Sequence, residues 1–216
     1  MSSEMAVEKI GEARRWTSPG DGQLVEQLRT GSQAAYVRLV EQFEHSIYNL
    51  LYRLLGNPHD AADVTQEVFI KIYRGIGRFN GDSNLRTWIY RIAIREAANW
   101  HRWWLRRRYN RTVSLDLVDP DDGQTVVFEN VLKDHALTPS ERVMRLELEA
   151  RLQAALRSLP LKYRMAVLLR DVEEFSYEEI ASTLHISVGT VKSRILRGRE
   201  LLRDKVRALL DTDPRV

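Results

Sequence analysis

The 216-residue sequence contains no cysteine, which removes disulfides and thiolate metal sites and any sign of an oxidising compartment. Histidine is sparse: His45, His59, His101, His135 and His185 are scattered, and no His-Glu-x-x-His spacing occurs. No apolar run approaches the ~20 residues needed to cross a bilayer. Glu4, Glu8 and Glu12 do not fit the profile of a signal peptide, so a cytoplasmic protein is expected. Walker loops and nucleophile elbows are missing too, and no catalytic residue, metal or cofactor is expected. No segment shows strong strand alternation, and there is no internal repeat.

What is present is helix. Leu39, Val40, Phe43, Ile47, Leu50, Leu51 and Leu54 recur at helical spacing until Gly56-Asn57-Pro58 stops them. Asn57 as N-cap and Pro58 at the first helical position start a new helix, predicted to run to about Arg74. A third pattern runs from Leu85 to about Arg108. Further on, Thr138-Pro139-Ser140-Glu141 and Ser176-Tyr177-Glu178-Glu179 are capping boxes, each opening a helix. Another helix is expected from Pro160 to about Val172, and Ser187 caps a last one to about Leu210. Asp119-Pro120-Asp121-Asp122-Gly123 lies in an acidic, turn-rich stretch without amphipathic period. The prediction is an all-α chain of two small helical domains: a flexible leader over 1–20, a first domain over 21–108, an acidic linker over 109–136 and a second domain over 137–212.

The net charge of +3 is too small to argue for nucleic acid. Its distribution says more. Between residues 86 and 111 stand Arg86, Arg91, Arg95, Arg102, Arg106, Arg107, Arg108 and Arg111, opposed only by Glu96. On that helix Leu85, Ile89, Ile92, Ala93, Trp100 and Trp103 form one stripe, while Arg91, Arg95, Arg102 and Arg106 form the opposite one. An arginine ladder suits a phosphate backbone, and Trp100 and Trp103 read as core rather than as base-stacking platforms.

The final two helices, joined by a short turn, have the layout of a helix-turn-helix. On the last one Val188, Val191, Ile195, Leu202, Val206 and Leu209 share the packing face. Thr190, Ser193 and Arg197 lie opposite, with Lys192 and Arg194 on the shoulders, offering hydroxyls and cations suited to base edges and phosphates. Glu200 and Asp204 would repel phosphate, so contact belongs to the first turns. In the helix from Pro58, Ala61, Val64, Val68, Phe69 and Ile72 make the core face. The other side carries Asp60, Asp63, Gln66, Glu67 and Arg74 around Ile70, which spacing alone reads either as an ordinary exposed isoleucine or as a knob for a basic protein partner.

Several blocks in order resemble the sigma-70 family, in its extracytoplasmic-function (ECF) class, over about residues 23–210. They are Asp63-Val64-Thr65-Gln66-Glu67-Val68-Phe69-Ile70, Phe79-Asn80-Gly81-Asp82-Ser83, Leu85-Arg86-Thr87-Trp88-Ile89-Tyr90-Arg91, Ser158-Leu159-Pro160, Tyr177-Glu178-Glu179-Ile180-Ala181 and Val188-Gly189-Thr190-Val191-Lys192-Ser193-Arg194. The resemblance implies a promoter-specificity factor without chemistry of its own. It implies that Asp63, Gln66, Glu67 and Phe69, with Ile70 beside them, hold the clamp of the largest RNA polymerase subunit, while the second domain meets the flap of the second subunit. It also implies that Asn80, Gly81, Asp82, Ser83 and Asn84 capture a flipped base of the −10 element beside a melting surface of Arg86, Trp88, Tyr90, Arg91 and Arg95. Thr190, Lys192, Ser193, Arg194 and Arg197 would read the −35 element, the linker would thread toward the polymerase active-site channel, and an anti-sigma protein is an expected partner. Two features depart from the family pattern: the leader, and the aromatic and basic cluster of Trp100, Trp103 and Trp104 with Arg106, Arg107 and Arg108.

Two other functions fit parts of the residue pattern. A homodimeric helix-turn-helix regulator acting without polymerase explains the last two helices but not the first domain. An interaction module could use the arginine ladder on an acidic protein.

Overall fold

The computed structural model describes residues 21–111 and 138–211, so the expected leader and nearly all of the expected linker lie outside the described residues. Those described residues are helical, with α1 (Asp21–Arg29), α2 (Gln33–Leu55), α3 (Pro58–Gly75) and α4 (Leu85–Arg111) in a first unit. α5 (Pro139–Ser158), α6 (Leu161–Asp171), α7 (Tyr177–Leu184) and α8 (Val188–Asp211) form a second. A short 3-10 turn, Ile76–Arg78, follows α3.

Local chemistry sets the boundaries. Ser32 caps α2 by accepting from the Ala35 N–H at 3.3 Å, and Gly56 ends it at φ 78°, donating to Tyr52 O at 2.8 Å. A side chain there would be strained, and its Cβ would fall 2.4 Å from Cδ of Arg157, which lies across the turn. Asn57 Oδ1 accepts from His59 N at 2.9 Å and Asp60 N at 3.2 Å, starting α3 where the sequence placed it. Both expected capping boxes form: Thr138 with Glu141, and Ser176 with Glu179. α1 is an addition to the predicted helices. Its nine residues bury only Asp21, Val25 and Leu28, too few positions to display a period.

α2, α3 and α4 pack as a three-helix core around Leu39, Ile47, Leu50, Leu54, Val68, Ile72, Leu85 and Ile89. Each such fully buried aliphatic side chain contributes roughly 1.5–3 kcal/mol before chain entropy is counted. In the second unit α5, α6 and α7 all pack on α8, with Leu168, Leu169, Phe175, Ile180, Val191 and Ile195 inside. The two units also touch: α4 meets α7, and α2 meets α5 and α6.

Arg164 joins them at one end. It is 6% exposed, and its guanidinium donates to Leu54 O at 2.5 Å, Arg157 O at 2.5 Å and Leu159 O at 2.9 Å. These are carbonyls at the C-terminal ends of α2 and α5, whose partial negative charge compensates a buried cation. Burial, helped by Arg157, lowers its pKa to about 10, so it remains charged at neutral pH. Arg164→Met therefore leaves three carbonyls without their donor. We expect a stability loss of at least about 2 kcal/mol, because hydrogen bonds to charged groups contribute roughly 1.5–3 kcal/mol each and do not add fully. Urea unfolding measures it, and an unchanged midpoint would contradict this role.

Candidate nucleic-acid interface

The helix-turn-helix is built by three residues between α7 and α8. His185 takes the left-handed conformation at φ 52° and closes α7, its backbone N–H donating to Ala181 O. Ser187 then caps α8: its Oγ accepts from Thr190 N at 3.2 Å and lies 2.9 Å from Thr190 Oγ1. Val191 and Ile195 are buried at 0% and 2%, which turns Lys192, Ser193 and Arg197 outward to solvent, with Thr190 and Arg194 half-buried beside them. Thr190 thus spends its hydroxyl on the cap. Arg197 reaches Glu200 at 3.1 Å, an exposed i,i+3 pair that a phosphate can displace at small cost. Leu196, 63% exposed, stands among these polar groups and is suited to an apolar base edge such as a thymine methyl.

α4 is the other basic element. Arg95, Arg102 and Arg106 are exposed along it and Arg91 is half-buried. Glu96, the acid among them, is taken up by Lys71 of α3 in a direct ion pair, and Asp82 of the preceding loop is the acid that acts on Arg91 at the start of the stripe. Trp100 packs on the core and stacks with Trp104 at 6.3 Å. Trp103 departs from the expectation that it is core: it is 47% exposed, with the Arg107 guanidinium 5.1 Å from its ring. Ala97 is the last buried residue among those described on α4, and the last described turns, which carry Trp103, are mostly exposed.

The loop before α4 places the other expected −10 residues. Gly81 has φ 78°, and Asn80 and Asp82 hydrogen-bond to each other on the exposed rim. Asn84 caps α4, its Oδ1 accepting from Thr87 N while its Nδ2 donates to Glu179 Oε1 at 2.8 Å. Trp88 is half-buried against Phe79, with ring centroids 5.2 Å apart. Tyr90 is 1% exposed, which its position among basic residues did not foretell. Its ring lies 4.9 Å from that of Phe175, and its hydroxyl donates to Glu173 Oε2. Burial, with Glu173 alongside, pushes the phenol well above its ordinary pKa, so it stays a neutral donor. Arg86 donates to Glu173 O at 2.7 Å and Arg91 to Ser182 Oγ at 2.8 Å. Glu179 is penalised by burial, yet the Ser176 backbone and Asn84 hold its carboxyl below the usual range.

On α3, Asp63, Gln66, Glu67 and Ile70 are exposed together, with Ile70 at 40% and Tyr73 beside it at 61%. Phe69 corrects the expectation of direct contact. It is 7% exposed in the core, its carbonyl accepts from Tyr36 Oη at 3.0 Å, and its side chain can only position its neighbours.

Comparison with known proteins matches residues 39–111 to a profile described as sigma-70 region 2 and residues 149–202 to one described as sigma-70, region 4. The chain is similar to the RNA polymerase sigma-H factor of Pseudomonas aeruginosa, at 40% identity covering 90% of this chain and 97% of that one. It is 38% identical to the ECF RNA polymerase sigma-E factor of Escherichia coli strain K12, covering 88% and 96%, and 36% identical to the ECF factor SigW of Bacillus subtilis, covering 86% and 96%. Among solved structures, CnrH in complex with the cytosolic domain of CnrY aligns with TM-score 0.61 at 23% identity over 90% of this chain and 99% of that one. The sigma factor RpoE of Bartonella quintana, in complex with the anti-sigma factor NepR, aligns with TM-score 0.60 at 20% identity over 80% and 96%. At these identities the two structures speak to the fold alone.

Proposed function

Because this chain belongs to the sigma-70 family of transcription initiation factors, in its extracytoplasmic-function class, we propose a division of labour among its surfaces. The exposed α3 group of Asp63, Gln66, Glu67 and Ile70 docks on core RNA polymerase, on the clamp of its largest subunit, and the second unit meets the flap of the second subunit. Lys192, Ser193, Arg194 and Arg197 of α8 read duplex DNA at the −35 element. The loop at residues 80–84 and the face of α4 carrying Arg86, Trp88, Tyr90, Arg91 and Arg95 hold the displaced strand of the −10 element. Residues 21–108 and 137–212 act as the two working domains.

Polymerase supplies the chemistry; this chain supplies positioning and is not an enzyme. It works in the cytoplasm, and no described helix is long and apolar enough to cross a membrane. An anti-sigma protein is a proposed partner, since the structurally similar sigma factor RpoE of Bartonella quintana was solved in complex with one.

The observation that carries this reading is the coexistence of two separate basic faces, on α4 and at the start of α8, with an acid-ringed apolar knob on α3. A polymerase-independent regulator needs only the α8 face. The test is run-off transcription with core polymerase on randomised promoters. Wild-type chain should give transcripts above the core-only background, and enrichment should recover two conserved elements. Arg197→Ala should cut the yield from the selected promoters about tenfold, as expected for one lost base or phosphate contact of roughly 1–3 kcal/mol. Transcripts equal to background, or enrichment of a palindrome with half-sites one helical turn apart, would overturn the proposal.

A further inference from the structure

The residues assigned to the −35 element do not share one side of α8. At about 100° per residue, Lys192 stands about 100° from Ser193 and about 140° from Arg197 around the helix. Its ammonium lies 5.6 Å from the ring centroid of Tyr177, the first residue of α7. Lys192 thus leans toward the neighbouring helix, while Ser193 and Arg197 are exposed on another side. Tyr177 is itself held. It is half-buried against the core, and the guanidinium of Arg170, in the last turn of α6, lies 5.0 Å from its centroid while donating to Phe175 O at 2.8 Å. Asp171, the acid next to Arg170, is committed to Arg199 of α8, whose Nε donates to it at 3.0 Å. Two cations therefore share one aromatic ring.

An aromatic face attracts an ammonium and so restricts where a long, flexible lysine carries its charge. Two cations at one ring also repel each other, and an anion held beside them relieves that repulsion. In a helix-turn-helix the second helix presents its first turns to base edges, while the first helix crosses the sugar-phosphate backbone. Tyr177 opens that first helix, so the charge gathered around it stands where a strand crosses rather than over base edges.

Resting on the −35 reading above, we propose that Lys192 is a backbone anchor and not a base reader: in the positive field it shares with Arg170 it donates to a phosphate of the strand that α7 crosses. Tyr177 is the positioning residue that fixes its ammonium there. Base selection then belongs to Ser193 and Arg197, since Thr190 has its hydroxyl at the cap beside Ser187 Oγ. The division has a consequence for recognition. Phosphate contacts set register and orientation and carry no sequence information, whereas contacts to base edges specify. A phosphate fixed on the α7 side sets how α8 enters the groove, and so where Ser193 and Arg197 meet their bases.

The test uses holoenzyme, formed from core polymerase and the full chain, on the promoter recovered by the selection above and on its single-base −35 variants. Lys192→Met should weaken binding to every duplex alike by about tenfold, the scale of one charge-assisted hydrogen bond. It should leave the ranking of the variants unchanged and lower the slope of log affinity against log salt by about 1, as for one lost phosphate contact. Arg197→Ala should instead flatten the ranking at one position. Tyr177→Leu should weaken binding by about two- to fivefold, the worth of an exposed cation–π contact, again with the ranking intact. Tyr177→Phe keeps the ring and should bind like wild type. In Lys192→Met holoenzyme, Tyr177→Leu should add no further loss. A purely structural tyrosine predicts the opposite, an equal loss in both backgrounds, and that result would overturn the proposal. So would a Lys192→Met ranking altered at one base pair, an unchanged salt slope, or a Tyr177→Phe loss as large as that of leucine. A wild-type holoenzyme that binds all −35 variants alike defeats the underlying −35 reading instead.

Discussion

Ile70→Asp should lower affinity for core RNA polymerase by on the order of 30-fold or more while leaving the melting temperature of the isolated chain unchanged. The argument is one of position. Ile70 is 40% exposed on α3, between Gln66 and Glu67 on one side and Tyr73 on the other, while Val68 and Ile72 hold the helix to the core at 0% exposure. Replacing it therefore leaves the packing of α3 intact. At an interface, an apolar knob ringed by polar groups is where binding energy concentrates, and losing such an anchor costs about 2 kcal/mol or more. Putting a carboxylate in a desolvated pocket adds a penalty beyond the lost contact. The acids around it should behave differently. Asp63 and Glu67 are exposed, and their neutralisation should slow association and flatten its salt dependence more than it speeds dissociation. Fluorescence titration with core polymerase reads the first effect. Equal affinity for wild type and Ile70→Asp would leave the α3 surface without its proposed role.

The helices of this chain were largely readable from its sequence because their ends carry strong local chemistry. Asn57-Pro58, Thr138 with Glu141, and Ser176 with Glu179 act within a single turn, so no distant residue can override them. The faces of α3 and α8 were readable for a related reason: each is packed along one side, and a single stripe of 3.6-residue period reports that side faithfully. α4 was harder. Its first turns are covered twice, by the core of the first unit and by the corner at Phe175, so Tyr90 is buried although it falls outside the single apolar stripe. Its last turns bury no described residue beyond Ala97, and Trp103 is exposed although it lies on that stripe. Periodicity describes a helix relative to one neighbour and is silent when neighbours change along its length. The docking of one unit on the other was not legible at all. It depends on Glu173 finding Tyr90 and Arg86, an association between residues more than eighty positions apart, as the separations of 83 and 87 show. Phe69 shows the converse limit: a family resemblance pointed to contact, while its own place in the apolar stripe pointed to the core, where it lies.

Gly198→Leu is expected to unfold the second unit, proposed to read the −35 element, while sparing the first. Gly198 lies where α8 crosses α6, and a Cβ built there would come within 2.5 Å of Val167 Cγ2, 3.3 Å of the Tyr163 carbonyl oxygen and 3.4 Å of Tyr163 Cβ. Val167 is 3% exposed and β-branched, so within a helix its χ1 is nearly fixed and the methyl cannot swing away. The Tyr163 oxygen belongs to the backbone of α6 and moves only if the helix moves. Even Gly198→Ala sets two effects against each other: about 1 kcal/mol gained from helix propensity, against roughly 1–3 kcal/mol lost to overpacking at an interior site. The contact distance favours the loss. Leucine keeps that clash and adds three more carbons where α6 and α8 leave no space, so its cost exceeds the overpacking range and becomes comparable with the marginal stability of a small helical unit. Circular dichroism should show a separate low-temperature transition for Gly198→Leu, with −35 DNA binding and run-off transcription lost. Affinity for core polymerase should fall much less, because the α3 surface around Ile70 remains folded. A Gly198→Leu chain that melts like wild type and still selects its promoters would mean that α6 can shift to admit a side chain, and that the spacing between these helices is not what presents Ser193 and Arg197 to DNA.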